Sequence, residues 1–383
     1  MSSKVIRIVM LIALCCVCSR AAAAQEIYVA NFADGDISVL DAVTQATLAH
    51  IPVTDQADPE IPITGYPSAV VFSADHALAF VALSFGSHVA VIDTAARAVV
   101  DYIEVLPVSV DALIFLHPSG DRLYVTSCTD PAISVIDVRR RTMTGTIALP
   151  GGSYPMAFSP NGRLGYVGNG YVDCGAVNGI YRLSTTTDTL LGFIPTSMPV
   201  SDVAVSPLDG LALASGGDRV VVVDLAASTE AGAVMCGLSQ CTYRFSGGLA
   251  FNATGTRAYA IDFHGNTLST INTDPSSPLY LQELSRVPIA ANSRNQNAWQ
   301  VAVRQDRAIV VVMGWPGHVI SFDISTDTPV PVSLDPIGSY AYEFDVWTLP
   351  LSEKDCSKSN WMNFGGLKNQ GDCRKSVAGS GKK

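Results

Sequence analysis

Residues Asp111 to Pro150 read DALIFLHPSGDRLYVTSCTDPAISVIDVRRRTMTGTIALP. The stretch holds four β-rich runs: Ala112–Leu116, Arg122–Thr126, Ile133–Asp137 and Thr144–Leu149. His117-Pro118-Ser119-Gly120-Asp121 is a turn between the first two, and a polar loop separates the second from the third. Short apolar runs bounded by Gly, Pro, Asn and Ser clusters are buried strands rather than helices.

The pattern repeats along the chain. The third run recurs at Ile37–Asp41, Val89–Asp93, Gly179–Leu183, Val220–Asp224, Leu268–Asn272 and Val319–Asp323. Successive starts lie 41 to 52 residues apart, the period of propeller blades. The second run recurs at Ile27–Asn31, Ala79–Ala82, Gly165–Gly168, Leu211–Ala214, Ala258–Ile261 and Ile309–Val312. The first unit lacks its innermost run, while Tyr342–Thr348 is a spare β-rich run after the seventh unit. The last strand is therefore expected to complete blade one and remove the free edges. The expected fold class is all-β, a seven-bladed β-propeller over 25–350.

The ends differ from the body. Lys4 and Arg7 precede an apolar run, Ile8–Cys18, and Ala22-Ala23-Ala24 fits a cleavage site. Residues 1–24 thus read as a signal peptide, too short to span a bilayer, with Gln25 as mature start. Cys15, Cys16 and Cys18 raise a lipoprotein reading, but Leu14 stands where a small residue is wanted before Cys15. The expected location is periplasmic, secreted or cell-surface. The expected form is a monomer without stable membrane insertion.

Residues 25–350 contain no lysine; 14 arginines stand against 31 acids, a net of −17. That charge disfavours nucleic acid, and the absence of lysine excludes Schiff-base chemistry in the body. Residues 351–383 carry a net of +4.

Leu123-Tyr124-Val125-Thr126, the Ser159-Pro160-Asn161-Gly162 turn and the repeated Val-Ile-Asp endings resemble YVTN-type β-propeller repeats. Such repeats are common in exported and cell-surface bacterial and archaeal proteins. The resemblance implies that the tyrosine packs between sheets and that the Asp serves a turn. It implies no chemistry. Cys356–Cys373, with Trp361, Phe364 and Asn369-Gln370-Gly371 between, resembles a short segment that ends many exported bacterial proteins.

Six cysteines follow the leader, an even number that favours disulfides in an exported chain. Cys128 and Cys174 fall in second-to-third loops of adjacent blades and are expected to pair. Cys236 and Cys241 form a local loop bridge, and Cys356 and Cys373 would staple the tail. Zinc is disfavoured, since there is no C-x-x-C pair and no histidine at ligand spacing.

In propellers the second-to-third loops and the blade-to-blade loops share one face around the central channel. Here the first set carries Asp34, Asp36, His88, Asp130, Asp173, Asp262, His264, Trp315 and His318. The second set carries Tyr66, Tyr154, Tyr243 with Arg244, Arg294 with Trp299, and Tyr340. Aromatics with arginine on a rim suit a protein, peptide or glycan partner. Tyrosines filling gaps between blades are the alternative. His88, His264 and His318 occupy equivalent places in three blades, but a metal is not expected, because equivalent places around a ring are far apart. No nucleophile elbow, phosphate loop or cofactor motif is present. The sequence therefore points to a non-catalytic binding propeller with no cofactor and no assigned catalytic residue. The rival is a hydrolase resembling propeller lactonases, whose Pro-x-Gly…Leu-Tyr-Val phrase is matched at Pro118 to Val125. A quinone or haem propeller lacks the C-x-x-C-H it would need.

Overall fold

The computed structural model describes residues 26–54, 65–108, 112–128, 130–169, 177–208, 210–236, 239–241, 246–289, 297–314, 316–336 and 341–347. The expected leader, the tail with Cys356 and Cys373, and Cys174 lie outside them. Every regular element among them is a strand.

Seven four-stranded antiparallel sheets follow one another round a ring. Blade 1 holds β1 (Glu26–Asn31), β2 (Asp36–Asp41) and β3 (Thr47–Pro52). Blade 2 holds β4 (Tyr66–Phe72), β5 (Leu78–Ser84), β6 (His88–Asp93) and β7 (Ala98–Glu104). Blade 3 holds β8 (Ala112–Leu116), β9 (Arg122–Ser127), β10 (Ala132–Asp137) and β11 (Thr142–Ala148). Blade 4 holds β12 (Met156–Phe158), β13 (Leu164–Asn169), β14 (Gly179–Ser184) and β15 (Thr189–Pro195). Blade 5 holds β16 (Asp202–Val205), β17 (Leu211–Gly216), β18 (Arg219–Asp224) and β19 (Thr229–Ala233). A small hairpin, β20 (Met235–Cys236) with β21 (Ser239–Gln240), leads to blade 6. That blade holds β22 (Ser246–Phe251), β23 (Arg257–Asp262), β24 (Thr267–Asn272) and β25 (Glu283–Pro288). Blade 7 holds β26 (Asn297–Arg304), β27 (Arg307–Met313), β28 (His318–Asp323) and β29 (Val330–Pro336).

The last strand, β30 (Ala341–Trp347), pairs with β1 and becomes the innermost strand of blade 1. Ile27 faces Val346 and Tyr28 faces Asp345. The spare run therefore closes the ring as the sequence led us to expect.

The core lies between blades. Each buried apolar cluster joins neighbouring sheets: Val39 and Ile51 of blade 1 meet Val70 and Val81 of blade 2, and Ile27 and Val29 meet Ile309 and Val311 of blade 7. The two middle strands of a blade are covered on both faces, so they read as continuous apolar runs. The outermost strand β11 is exposed at five positions in a row. Tyr28, Tyr124, Tyr166 and Tyr259, one from each of four second strands, are fully buried between sheets. The Asp ending the third strand holds the following turn: Asp41 Oδ1 accepts the Val43 and Thr44 N–H groups at 2.9 and 2.7 Å, and Asp224 Oδ1 does the same for Ala226 and Ala227. Those bonds hold the Asp41 carboxyl below the usual carboxylate range.

Each blade also carries a register shift between its third and fourth strands, from Val39/Leu40 in blade 1 to Ser321/Phe322 in blade 7. A bulge there increases local twist in the outer half of the sheet.

Two expectations follow. A chain ending after residue 340 lacks the closing strand and should lose cooperative thermal unfolding or melt at least ~10 °C lower. A chain ending after residue 350 should keep the full-length transition; equal melting of both truncations would mean that β30 does not hold the ring. In the second test, Tyr124→Phe removes the 2.7 Å bond that the Tyr124 hydroxyl donates to Asp188 of the next blade. Denaturant unfolding should show a loss of about 1 kcal/mol, the worth of one such bond.

Candidate functional site

The innermost strands surround an axial cavity of about 300 Å³. Its described wall is largely apolar and aromatic, with Leu113, Phe115, Tyr154, Met156, Phe158 and Trp299. Polar groups enter at few points: Ser201, Asp202, Gln300 and Arg304.

Asp202 opens β16. Its Oδ1 accepts the Val203 N–H at 2.8 Å, and its Oδ2 accepts the Leu249 N–H of blade 6 at 2.7 Å. The Gln300 side chain of blade 7 bonds the same carboxyl. Gln300 Oε1 accepts the Val301 N–H at 3.0 Å, which turns the amide nitrogen toward Asp202. Three blades thus converge on one acid. Gly248 permits this, because a Cβ there would overlap Gln300 Oε1 and lie 2.9 Å from Gln300 Cα. The inner strands are irregular at this level, with register shifts at Ser246/Leu249 and Ala298/Gln300 that re-aim the groups between them. Asp202 is half-buried along the channel, yet protein surrounds its carboxyl closely. Burial raises its pKa to about 7 against the lowering effect of its N–H partners. At neutral pH the group exists in both forms and can give or take a proton.

The second feature lies on the loop face. Phe32, in the β1–β2 loop, stacks on Tyr66 at 5.0 Å between ring centroids and 17° between planes. Phe85, after β5, meets both edge-on at 6.5 and 6.3 Å. Tyr66 and Phe85 are 47% and 52% exposed, while Phe32 is half-buried against the core below, so the two exposed rings form a surface platform seated on it. Phe85 sits at φ 58°, a left-handed conformation that costs a bulky side chain about 1 kcal/mol. Strain of this kind collects at functional positions.

The residues singled out by sequence fall into three sets. Tyr66 is on the platform. Tyr154 and Trp299 are buried: the Tyr154 carbonyl accepts the Thr126 hydroxyl at 2.6 Å, and Trp299 packs edge-on to Phe263 while lining the channel. His88, His264 and His318 stay apart at their blades: His88 lies 3.3 Å from the Ser87 hydroxyl, His264 packs on Phe263, and His318 opens β28. Among the described residues, none of the three joins a cluster of metal-ligating side chains. Tyr243, Arg244, Arg294, Trp315, Asp173 and Tyr340 lie outside the described residues. Cys236 and Cys241 are bonded, with Cα atoms 5.0 Å apart. Cys128 is also disulfide-bonded; its expected partner Cys174 is outside the described residues. Sequence reading passed over Asp202, Gln300, Phe32 and Phe85. Asp202 stands in a Ser-Asp-Val-Ala-Val run that reads as an ordinary strand start.

The chain is a seven-bladed β-propeller. No family model matches it, and no curated protein matches it by sequence. Among solved structures it is similar to a chain of Kuenenia stuttgartiensis hydrazine synthase, with TM-score 0.60, 18% identity, and coverage of 76% of this chain and 91% of that one. It is also similar to dihydro-heme d1 dehydrogenase NirN in complex with DHE, with TM-score 0.57, 13% identity, and coverage of 84% and 74%. At these identities the likeness is one of fold.

Titration of Asp202 has a signed consequence. A carboxyl raised from the ordinary 3.8 to about 7 in the folded state costs stability progressively as pH rises through that window. Asp202→Asn removes the cost. Between pH 4 and pH 8 the melting temperature of the variant should gain at least ~2 °C on that of the wild type. A difference independent of pH would show that Asp202 titrates normally.

Proposed function

We propose that the protein is an exported, non-catalytic binding propeller whose partner seats on the loop face at the channel mouth. The observation that carries this reading is the Phe32–Tyr66–Phe85 platform, in which Tyr66 and Phe85 are exposed over a half-buried Phe32. Stacked rings left in solvent, one of them in a strained conformation, are suited to a flat apolar face: a pyranose ring, or an aromatic or proline side chain of a peptide. The acidic body favours neutral or cationic partners over polyanions. The platform spans blades 1 and 2 beside the ring closure.

A second reading rests on Asp202. A carboxyl near neutral pKa in a cavity is the group a hydrolase would use as general acid or base. Among the described residues no histidine lines that cavity with it, and Arg304 supplies its cationic group. We therefore rank lactone-type hydrolysis below binding.

Purified mature protein screened on glycan and peptide arrays should give saturable binding without turnover. Tyr66→Ala and Phe85→Ala should each weaken the best binder at least ~10-fold while leaving the melting temperature within ~2 °C. Binding that ignores both substitutions would displace the site from the platform. Lactone turnover lost in Asp202→Asn would favour the hydrolase.

A further inference from the structure

The hairpin β20–β21 presents Cys236 and Cys241 to the start of β25. Its placement is fixed by backbone: the Met235 N–H donates to the Leu281 carbonyl at 3.0 Å, Met235 forms a bridge with Gln282, and the Cys241 N–H donates to the Val234 carbonyl at 3.0 Å. The next residue, Glu283, puts Oε2 2.9 Å from Cys236 Sγ and 3.7 Å from Cys241 Sγ. In the disulfide neither sulfur carries a proton, so this approach is an acceptor against an acceptor. It becomes favourable with a proton or a cation between the atoms. Two sulfurs and one carboxylate oxygen lie within 4.8 Å of one another, the one such group among the described residues.

We propose that the dithiol form of Cys236 and Cys241, with Glu283, is a binding site for a thiophilic divalent cation of the zinc class. The ligand set is two thiolates and a carboxylate, with solvent in the fourth position. Arg286 supports it from behind, its Nε donating to Glu283 Oε1 at 2.9 Å. That bond leaves Oε2 for the metal and fixes the carboxylate, the usual role of a group behind a ligand. Three anionic ligands against a divalent cation leave one negative charge, which Arg286, also 3.7 Å from Asp262, offsets in part. Cys236 is exposed, so a cation can enter from solvent. Reduction lets the sulfurs part from bonding distance to about 3.8 Å, the spacing of tetrahedral neighbours at a Zn–S distance of ~2.3 Å.

The redox step balances with a dithiol reductant. It gives two electrons and two protons to the protein disulfide and leaves as its own cyclic disulfide; the protein then holds two thiols. Binding the cation releases those two protons. Oxidation reverses the sequence and expels the metal. The loop bridge foreseen from sequence and the metal site are thus two states of one pair. The spacing argument against zinc does not reach this set, because the third ligand is 42 residues from Cys241.

The test uses the full mature chain, oxidised or reduced with a phosphine, in competition with a chromophoric zinc indicator. The reduced wild type should take up one more equivalent of zinc than reduced Cys236→Ser, and cobalt in its place should give a thiolate-to-metal charge-transfer band. Glu283→Gln should weaken the site at least ~10-fold, with unchanged circular dichroism confirming the fold. Equal uptake by oxidised and reduced protein, full uptake by Cys236→Ser, or unchanged affinity in Glu283→Gln would each overturn the assignment. Because the comparison is with Cys236→Ser, metal bound by other freed cysteines does not count toward the site.

Discussion

The ring depends on the interface between its first and last blades. Each blade is a thin sheet with little core of its own; its apolar side chains are buried only against the next sheet. An open array would expose Ile27, Val29 and Leu40 on one side and Ile309, Val311 and Val319 on the other. Pairing of β30 with β1 ties the two ends of the chain into one blade and fixes that last interface. Burial of each such side chain contributes roughly 1.5–3 kcal/mol, so an open interface would cost on the order of a typical domain's whole net stability.

Around that constraint the blades use a few repeated polar devices. Residues at the start of second strands reach the third-to-fourth turn of the next blade: Glu26 to Arg97 at 2.7 Å, Arg122 to Asp188 at 3.1 Å, Arg257 to Asp327 at 2.5 Å. The two pairs that are part-exposed on both sides, Arg122–Asp188 and Arg257–Asp327, add at most about 1 kcal/mol each. They fix the angle between neighbours more than they add stability. Hydroxyls near the channel stitch inner strands: Ser84 Oγ accepts the Ala112 N–H at 2.8 Å, and Ser215 Oγ donates to the Gly247 carbonyl at 2.5 Å. With that frame rigid, function falls to what the rim and channel present. The aromatic platform and the Asp202–Gln300 pair both bridge blades, so each depends on how neighbouring blades are set against one another.

The rim illustrates how sequence reasoning divides. Tyr66 was legible as a loop aromatic, and it is exposed. Tyr154 and Trp299 had the same signature, and they pack into the wall. Residue type and loop position are identical signals in the two cases. Which way a ring turns depends on the bulges of the inner strands and on the neighbouring blade. Phe85 was missed because nothing in Ser84-Phe85-Gly86 announces that the backbone turns left-handed at the aromatic rather than at the glycine.

Sequence alone determined what is periodic and local: seven units, the strand order within each, the Cys236–Cys241 bridge and the closing strand, while the resemblance to YVTN-type repeats implied the buried tyrosines and the Asp-held turns. Apart from the closing strand, which follows from the run missing in the first unit and the spare run at the end, these follow from alternation, turn chemistry and short spacing, all of which act within some fifty residues. Tertiary structure decided what depends on the ring. It buried Asp202 and so raised that carboxyl to about 7 against the lowering effect of its Leu249 and Gln300 partners, stacked Phe32 on Tyr66, and set Glu283 beside two cysteines. Those pairs are far apart in the chain or belong to different blades, and only the closed geometry sets the distances between them.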